Sequence, residues 1–185
     1  MSSKSAGARA GKEITIAILE ALQNGFVKLN LLDASNLVDV ASLFPPSYAM
    51  HNRIRLARKM KNMEALGYIT QTKKGYVVGF RGKRLLNEET IWKLTIPTPT
   101  QWDKKWRFVV FDIPVDKRKR RDIFRLRLKE LGLKLYQNSV WVYPYPLENI
   151  VEKVNNFYHL SKHVSFITAE TVTGEKKMKQ HFKLN

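Results

Sequence analysis

The stretch WRFVVFDI, Trp106 to Ile113, is a nearly continuous apolar run, broken only by Arg107 and Asp112 and followed by Pro114. A nearly continuous run of this kind is expected of a central strand. Downstream, Asp116 to Leu131 carries Ile123, Leu126, Leu128 and Leu131 in a helical pattern, and Gly132 ends it. Leu135 to Tyr145 is rich in β-branched and aromatic residues and predicts a long strand or a hairpin. Leu147 to His159 reads as a second helix and Val164 to Val172 as a third strand. This order of strand, helix, strand, helix, strand begins a ferredoxin-like split βαβ sandwich. The tail, Glu175 to Asn185, is expected to add an edge strand, on this chain or on a partner.

Upstream of the run, Ile96-Pro97-Thr98-Pro99-Thr100 is a Pro/Thr linker that disfavours helix and ladder alike, so a boundary is expected near residue 100. Arg81 to Trp92 predicts a short helix before it. The first half reads as three helices and a hairpin. Ile14 to Leu22 is apolar over much of a helical surface, and Gly25 breaks it. Leu37 to Phe44 predicts a second helix, with Ser35 or Asn36 as N-cap and Pro45-Pro46 as its stop. Ser47 caps a third, from about Tyr48 to Leu66, which Gly67 closes. Two β-rich runs, Tyr68 to Thr72 and Tyr76 to Phe80, flank the turn Lys73-Lys74-Gly75.

Thirty-three Lys plus Arg stand against 16 Asp plus Glu in 185 residues, a formal charge of +17. The surplus is net +8 over residues 1–100 and +9 over 101–185, so both halves face the same kind of partner. A polyanion is that partner, because each phosphate contact releases a condensed counterion. A membrane surface would call for an amphipathic anchor, and a spanning helix for about 20 apolar residues; neither stands out. With no cysteine, disulfides, thiolate nucleophiles and Cys-ligated zinc are excluded, and a reducing, cytoplasmic location fits. Met1 to Gly11 has no apolar core like that of a secretory signal and is expected to be a disordered lead-in.

The third helix concentrates the cations of the first half: Asn52, Arg53, Arg55, Arg58, Lys59, Lys61 and Asn62, with no acid between Val40 and Met63. At helical spacing Arg55, Arg58, Lys59 and Asn62 share one side, while Leu56, Met60 and Met63 share another that suits a core. Arg pairs bidentately with guanine and Asn with adenine in the major groove, whereas Lys mostly meets phosphate. Lys73 and Lys74 add two ammonium groups at the hairpin tip. The plain alternative is a solvated helix face, although such faces usually mix both signs. Three helices and a basic hairpin, with ALGYIT (Ala65 to Thr70) passing from helix to hairpin, resemble the winged helix-turn-helix family over about residues 12–86.

The longer string WDKKWRFVVFDIP, Trp102 to Pro114, with KRRDIFRLRLKELGLKLYQNSVWVYPYP after it, resembles the central domain of the phenylacetate-degradation repressors, the PaaX-like regulators. Those proteins also place a winged helix first. The likeness does not extend to the further C-terminal domain of full-length members, so no acyl-CoA site is carried over. The same domain resembles the small CRISPR adaptation endonuclease, the second Cas protein, a ferredoxin-like dimer. The resemblance implies an α+β chain: a lead-in (1–11), an N-terminal winged helix-turn-helix (12–86), a connector (87–101) and a ferredoxin-like dimerisation domain (102–185). It implies a sequence-specific regulator of double-stranded DNA, a repressor acting as a homodimer and needing no cofactor.

The endonuclease likeness carries an alternative. Its strand-ending aspartate matches Asp112, which would hold Mg²⁺ for phosphodiester hydrolysis; otherwise Asp112 caps the turn at Pro114 or the following helix. The run Lys117-Arg118-Lys119-Arg120-Arg121 opens a helix, where anions bind readily, and is a second phosphate candidate; the alternative is a solvated helix start. Trp102, Trp106, Trp141 and Tyr143 suit base stacking or, more simply, burial. His159 and His163 lie four apart without an evident third ligand. Gly79 to Arg84 lacks the spacer and the Ser/Thr of a P-loop.

Overall fold

The computed structural model describes residues 3–24, 52–73 and 75–184, and their side chains except at 3–10 and 52–54. The expected second helix at Leu37 to Phe44, with its cap and proline stop, lies outside the described residues, as does Lys74. The chain divides into two compact units, residues 1–89 and 90–185. The division falls inside a helix and not at the Pro/Thr linker, because Ile91 and Ile96 are buried in the second unit's core.

In the first unit, α1 spans Ser3–Gln23, so the helix starts within the segment expected to be a disordered lead-in. α2 spans Asn52–Ala65. Gly67 ends it at φ 72°, with Gly67 N–H donating to Glu64 and Tyr68 N–H to Met63, a Schellman closure. The antiparallel hairpin follows as β1 (Ile69–Thr72) and β2 (Gly75–Val78), with Thr72 opposite Gly75. α3 spans Phe80–Lys93. Ile18 and Leu19 of α1, Leu56, Met60 and Met63 of α2, and Ile69, Tyr76 and Leu86 form one core. Gly82 allows the close approach of these elements: a Cβ there would lie 2.2 Å from the Tyr68 carbonyl and 2.8 Å from Leu19. The glycines near Gly79 therefore serve packing and not phosphate.

The second unit holds β3 (Trp106–Phe111), a 3₁₀ turn (Val115–Lys117), α4 (Arg118–Glu130), β4 (Lys134–Gln137), β5 (Val140–Tyr143), α5 (Glu148–Tyr158), β6 (Val164–Ala169) and α6 (Glu175–Phe182). The sheet order is β4-β5-β3-β6 and every pairing is antiparallel. Two split βαβ units thus interleave in a ferredoxin-like fold, with the apolar run at the centre as its composition requires. The stretch from Leu135 to Tyr145 resolves into the hairpin β4-β5. Val109 and Phe111 face α4 and α5, where Phe124, Leu128, Val151 and Val154 close the main core. Ile123 and Leu126, expected to be apolar contacts of α4, are exposed. Leu128 and Leu131, expected with them, are buried, and the stripe is completed by Phe124 and Arg127.

The tail differs from the expected edge strand. Residues 175–182 are good helix formers, and Glu175 pairs with Lys179 one turn on. The resulting helix lays Met178 and Phe182 against Trp106, Phe108 and Val142 on the sheet's second face. Burial of that apolar surface, at about 25 cal/mol per Å², is a return that an edge strand would forgo.

Candidate nucleic-acid interface

α2 separates its two faces sharply. Leu56, Met60 and Met63 are buried, and Arg55, Arg58, Lys61 and Asn62 are exposed. Asn52 and Arg53 begin the helix, and their side chains lie outside the description. Lys59 parts from its expected neighbours. Its Nζ donates to the Gly11 carbonyl of α1 at 3.0 Å, and burial pushes its pKa down. Thr15 Oγ1 donates to the same carbonyl at 2.8 Å. Lys59 therefore ties two helices together, a role that helical spacing alone could not show.

The hairpin brings Lys73 to an exposed turn after Thr72, whose hydroxyl donates to the Gly75 carbonyl at 2.7 Å. Arg81, which the sequence did not single out, donates to the Leu66 carbonyl at 3.2 Å and completes the C-terminal end of α2. Its signal was only a basic residue after a glycine-rich turn.

In the second unit Arg118, Lys119 and Arg120 are exposed in the first turn of α4. Arg118 lies 3.8 Å from Asp122. Arg121 is half-buried. Lys117 approaches His163, Nζ to Nε2 at 2.8 Å, and so is partly committed within the fold. The five-cation run is therefore three exposed cations between Lys117, engaged by His163, and the half-buried Arg121.

Asp112 is exposed just past β3, and its backbone N–H donates to the His163 carbonyl at 3.0 Å. Its carboxylate caps neither the 3₁₀ turn nor α4, which both start without a side-chain cap. Among the described residues no group of three or more His, Cys, Asp or Glu is placed to hold a metal ion. His159 ends α5 in the left-handed conformation while His163 sits in a 3₁₀ turn, so the two do not share a helix face. Trp106, Trp141 and Tyr143 are buried. Trp102 packs on Trp106 at 4.9 Å between centroids and donates its indole N–H to the Lys105 carbonyl. These rings build the domain and offer no stacking platform.

No described helix is long and apolar enough to cross a membrane. Residues 99–181 match the family described as the PaaX protein central Cas2-like domain. No curated protein matches the chain.

Proposed function

We propose that this chain, whose residues 99–181 match the PaaX protein central Cas2-like domain, is a PaaX-like transcriptional regulator that binds specific double-stranded DNA as a homodimer and acts as a repressor. In this reading the first unit is a winged helix-turn-helix, with α2 as the reading helix and the β1-β2 hairpin as the wing. The observation that carries the reading is the face of α2 holding Arg55, Arg58 and Asn62, exposed opposite a buried apolar face and free of acidic side chains. Arg55, Arg58 and Asn62 read base edges. Lys73 and Lys74 meet phosphates, and Arg118, Lys119 and Arg120 offer a second backbone contact.

The test is selection of random duplexes on the full chain at near-physiological salt with Mg²⁺ present. The expected result is an enriched inverted repeat on uncut DNA, with half-sites about one helical turn, or a multiple of it, apart. Binding without any enriched sequence would reduce the protein to a backbone binder. Cut DNA would bring forward a second reading, Mg²⁺-dependent hydrolysis at Asp112. The exposure of that carboxylate beyond the central strand favours it, and Asp112→Ala would then abolish cleavage.

A further inference from the structure

The second unit carries a cationic surface that the roles given to α2 and α4 leave unused. Lys176, Lys179 and Lys183 lie at i, i+3 and i+7 along one side of α6 and its closing turn. With Glu175, Gln180 and Leu184 they line an open groove of about 530 Å³. The loop before β3 abuts the same helix: the Lys179 ammonium lies 5.3 Å over the Trp102 ring, and Trp106 packs on Phe182. That loop adds Lys104 and Lys105, both exposed. Its shape is fixed from beneath. Asp103 accepts from the Lys105 N–H at 3.1 Å and from the Arg107 guanidinium, which is buried and also donates to the Lys105 and Pro144 carbonyls. The acids close by are thus spent, Asp103 on Arg107 and Glu175 on Lys179. Lys104, Lys176 and Lys183 have no ion-pair partner among the described residues, and Lys105 feels only Asp103, which Arg107 already holds.

The backbone marks the same lysines. Among the described residues the left-handed conformation is adopted outside glycine by Lys104 (φ 61°), His159 and Lys183 (φ 54°). Lys183 sits where α6 closes, with the Leu184 N–H donating to the Lys179 carbonyl at 2.9 Å. Glycine fills that position most readily, and at Lys104 too it would cost less than a lysine. Two of these three positions therefore hold an ammonium group on one surface, against the preference of the backbone. Conformational cost of this kind concentrates at binding sites.

We propose that Lys104, Lys105, Lys176 and Lys183 form a further contact to the phosphodiester backbone of duplex DNA. The inference rests on the DNA reading above and extends it to the last helix of the chain. α6 covers the sheet face that carries Trp106 and Phe108, whereas α4 covers the opposite face. The two sets of cations therefore meet different stretches of DNA. Chemistry selects the partner. The exposed large apolar residues of the second unit are Val115, Ile123, Leu126, Leu135 and Ile167, none of them on α6 or in the loop before β3. A membrane surface needs apolar residues to insert, and a protein partner needs apolar or aromatic anchors. Ammonium groups along an open groove suit phosphates, which they meet as point charges whatever the base sequence. Lys179, tied to Glu175 and Trp102, holds the wall of the groove.

The test is duplex binding by the full chain across a range of salt. Lys176→Gln with Lys183→Gln should weaken all duplexes alike and reduce the slope of log K against log salt by about two units. The ratio between selected and scrambled sites should not change. Lys153→Gln with Lys162→Gln removes the same charge from exposed positions elsewhere on the unit and should move the slope by less than half as much. Lys104→Gly and Lys183→Gly should each weaken binding several-fold at low salt yet unfold at no lower temperature than wild type, because glycine suits the left-handed backbone. The chain has no native cysteine, so an iron chelate on Gln180→Cys should cut bound duplex at a fixed distance from the selected site. Equal slopes for the two pairs of variants, or binding without cleavage from position 180, would overturn the proposal and leave the reading role of α2 standing. A slope loss confined to the Lys176 and Lys183 pair, in a protein that selects no sequence, would sink the regulator and keep this surface.

Discussion

Lys59 Nζ lies 3.0 Å from the carbonyl oxygen of Gly11, so a cation in the most basic stretch of the first half is spent inside the fold. Arg58, one residue earlier, is exposed. The two neighbours should therefore respond oppositely to substitution. Arg58→Ala should keep the melting temperature and weaken binding to the selected site by about 1–3 kcal/mol, relaxing preference at its own base positions. Lys59→Met should lower stability by about 1 kcal/mol and leave sequence preference intact. Thermal unfolding and duplex titrations on both variants decide this. Equal losses on every duplex for Arg58→Ala would remove its base-reading role.

Lys73 is exposed at the hairpin tip, and in the proposed reading it meets phosphate as a point charge whatever the sequence. Lys73→Ala should weaken all duplexes about equally and reduce the slope of log K against log salt by about one unit. A titration across a range of salt concentrations checks it, and an unchanged slope would place the hairpin away from the DNA.

Gly82 and Gly11 are both helical and should answer alanine with opposite signs. A Cβ at Gly82 meets backbone at 2.2 Å, and neither α3 nor the chain at Tyr68 can yield without breaking the core. Gly82→Ala should cost about 2–4 kcal/mol. A Cβ at Gly11 meets nothing within 4 Å, so Gly11→Ala should stabilise by about 0.5–1 kcal/mol through reduced backbone freedom in the unfolded chain. Urea unfolding of the two variants measures both.

What could be read in advance followed from local pattern. The buried face of α2 at Leu56, Met60 and Met63 is a matter of helical spacing, and the central position of Trp106 to Phe111 follows from its unbroken apolarity. The turn at Gly67 and the hairpin at Lys73 follow from residues with few alternatives. What was not legible depends on partners distant in the chain. Lys59 is engaged by a carbonyl 48 residues away. The tail becomes a helix because β3 and β5 present an apolar second face that needs covering. Ile123 and Leu126 read as core by hydrophobicity alone, but the phase of α4 is set by Phe124 and Leu128 against Phe111 and its neighbours.

Asp103 gives the second unit an acid-sensitive contact. Its carboxylate is held at about 2, chiefly by hydrogen bonding from the Arg107 guanidinium. The folded-state value lies below the ordinary one, so the contribution is present above the ordinary carboxylate range and is lost as pH falls from about 4 toward 2. The carboxylate is nearly half exposed, and solvent screening holds its worth to about 1 kcal/mol. Asp103→Asn should lower stability at neutral pH and narrow the gap to wild type below about pH 3. Denaturant titrations at pH 7 and in acid check the sign. A variant that parallels wild type throughout would show that the pair adds nothing.

Arg127 is a buried cation that no local pattern announces. Its guanidinium donates to the Leu94 carbonyl, lies 3.5 Å from Glu130 and sits 5.4 Å over the Trp92 ring. Burial pushes its pKa down, and Glu130 opposes the shift. The Leu94 carbonyl follows the last turn of α3, where intrahelical donors have run out, so Arg127 supplies the missing donor. Arg127→Ala removes that donor, the stacking on Trp92 and the packing of the stem, and should cost about 2–4 kcal/mol. Arg127→Lys should recover only part, because a single ammonium cannot donate to the carbonyl, meet Glu130 and lie flat on the indole at once. Equilibrium unfolding in urea with an unchanged m-value would assign the loss to the native state. If Arg127→Ala stayed within about 0.5 kcal/mol of wild type, the Leu94 carbonyl would have to be served by water, and the guanidinium would be filling space alone.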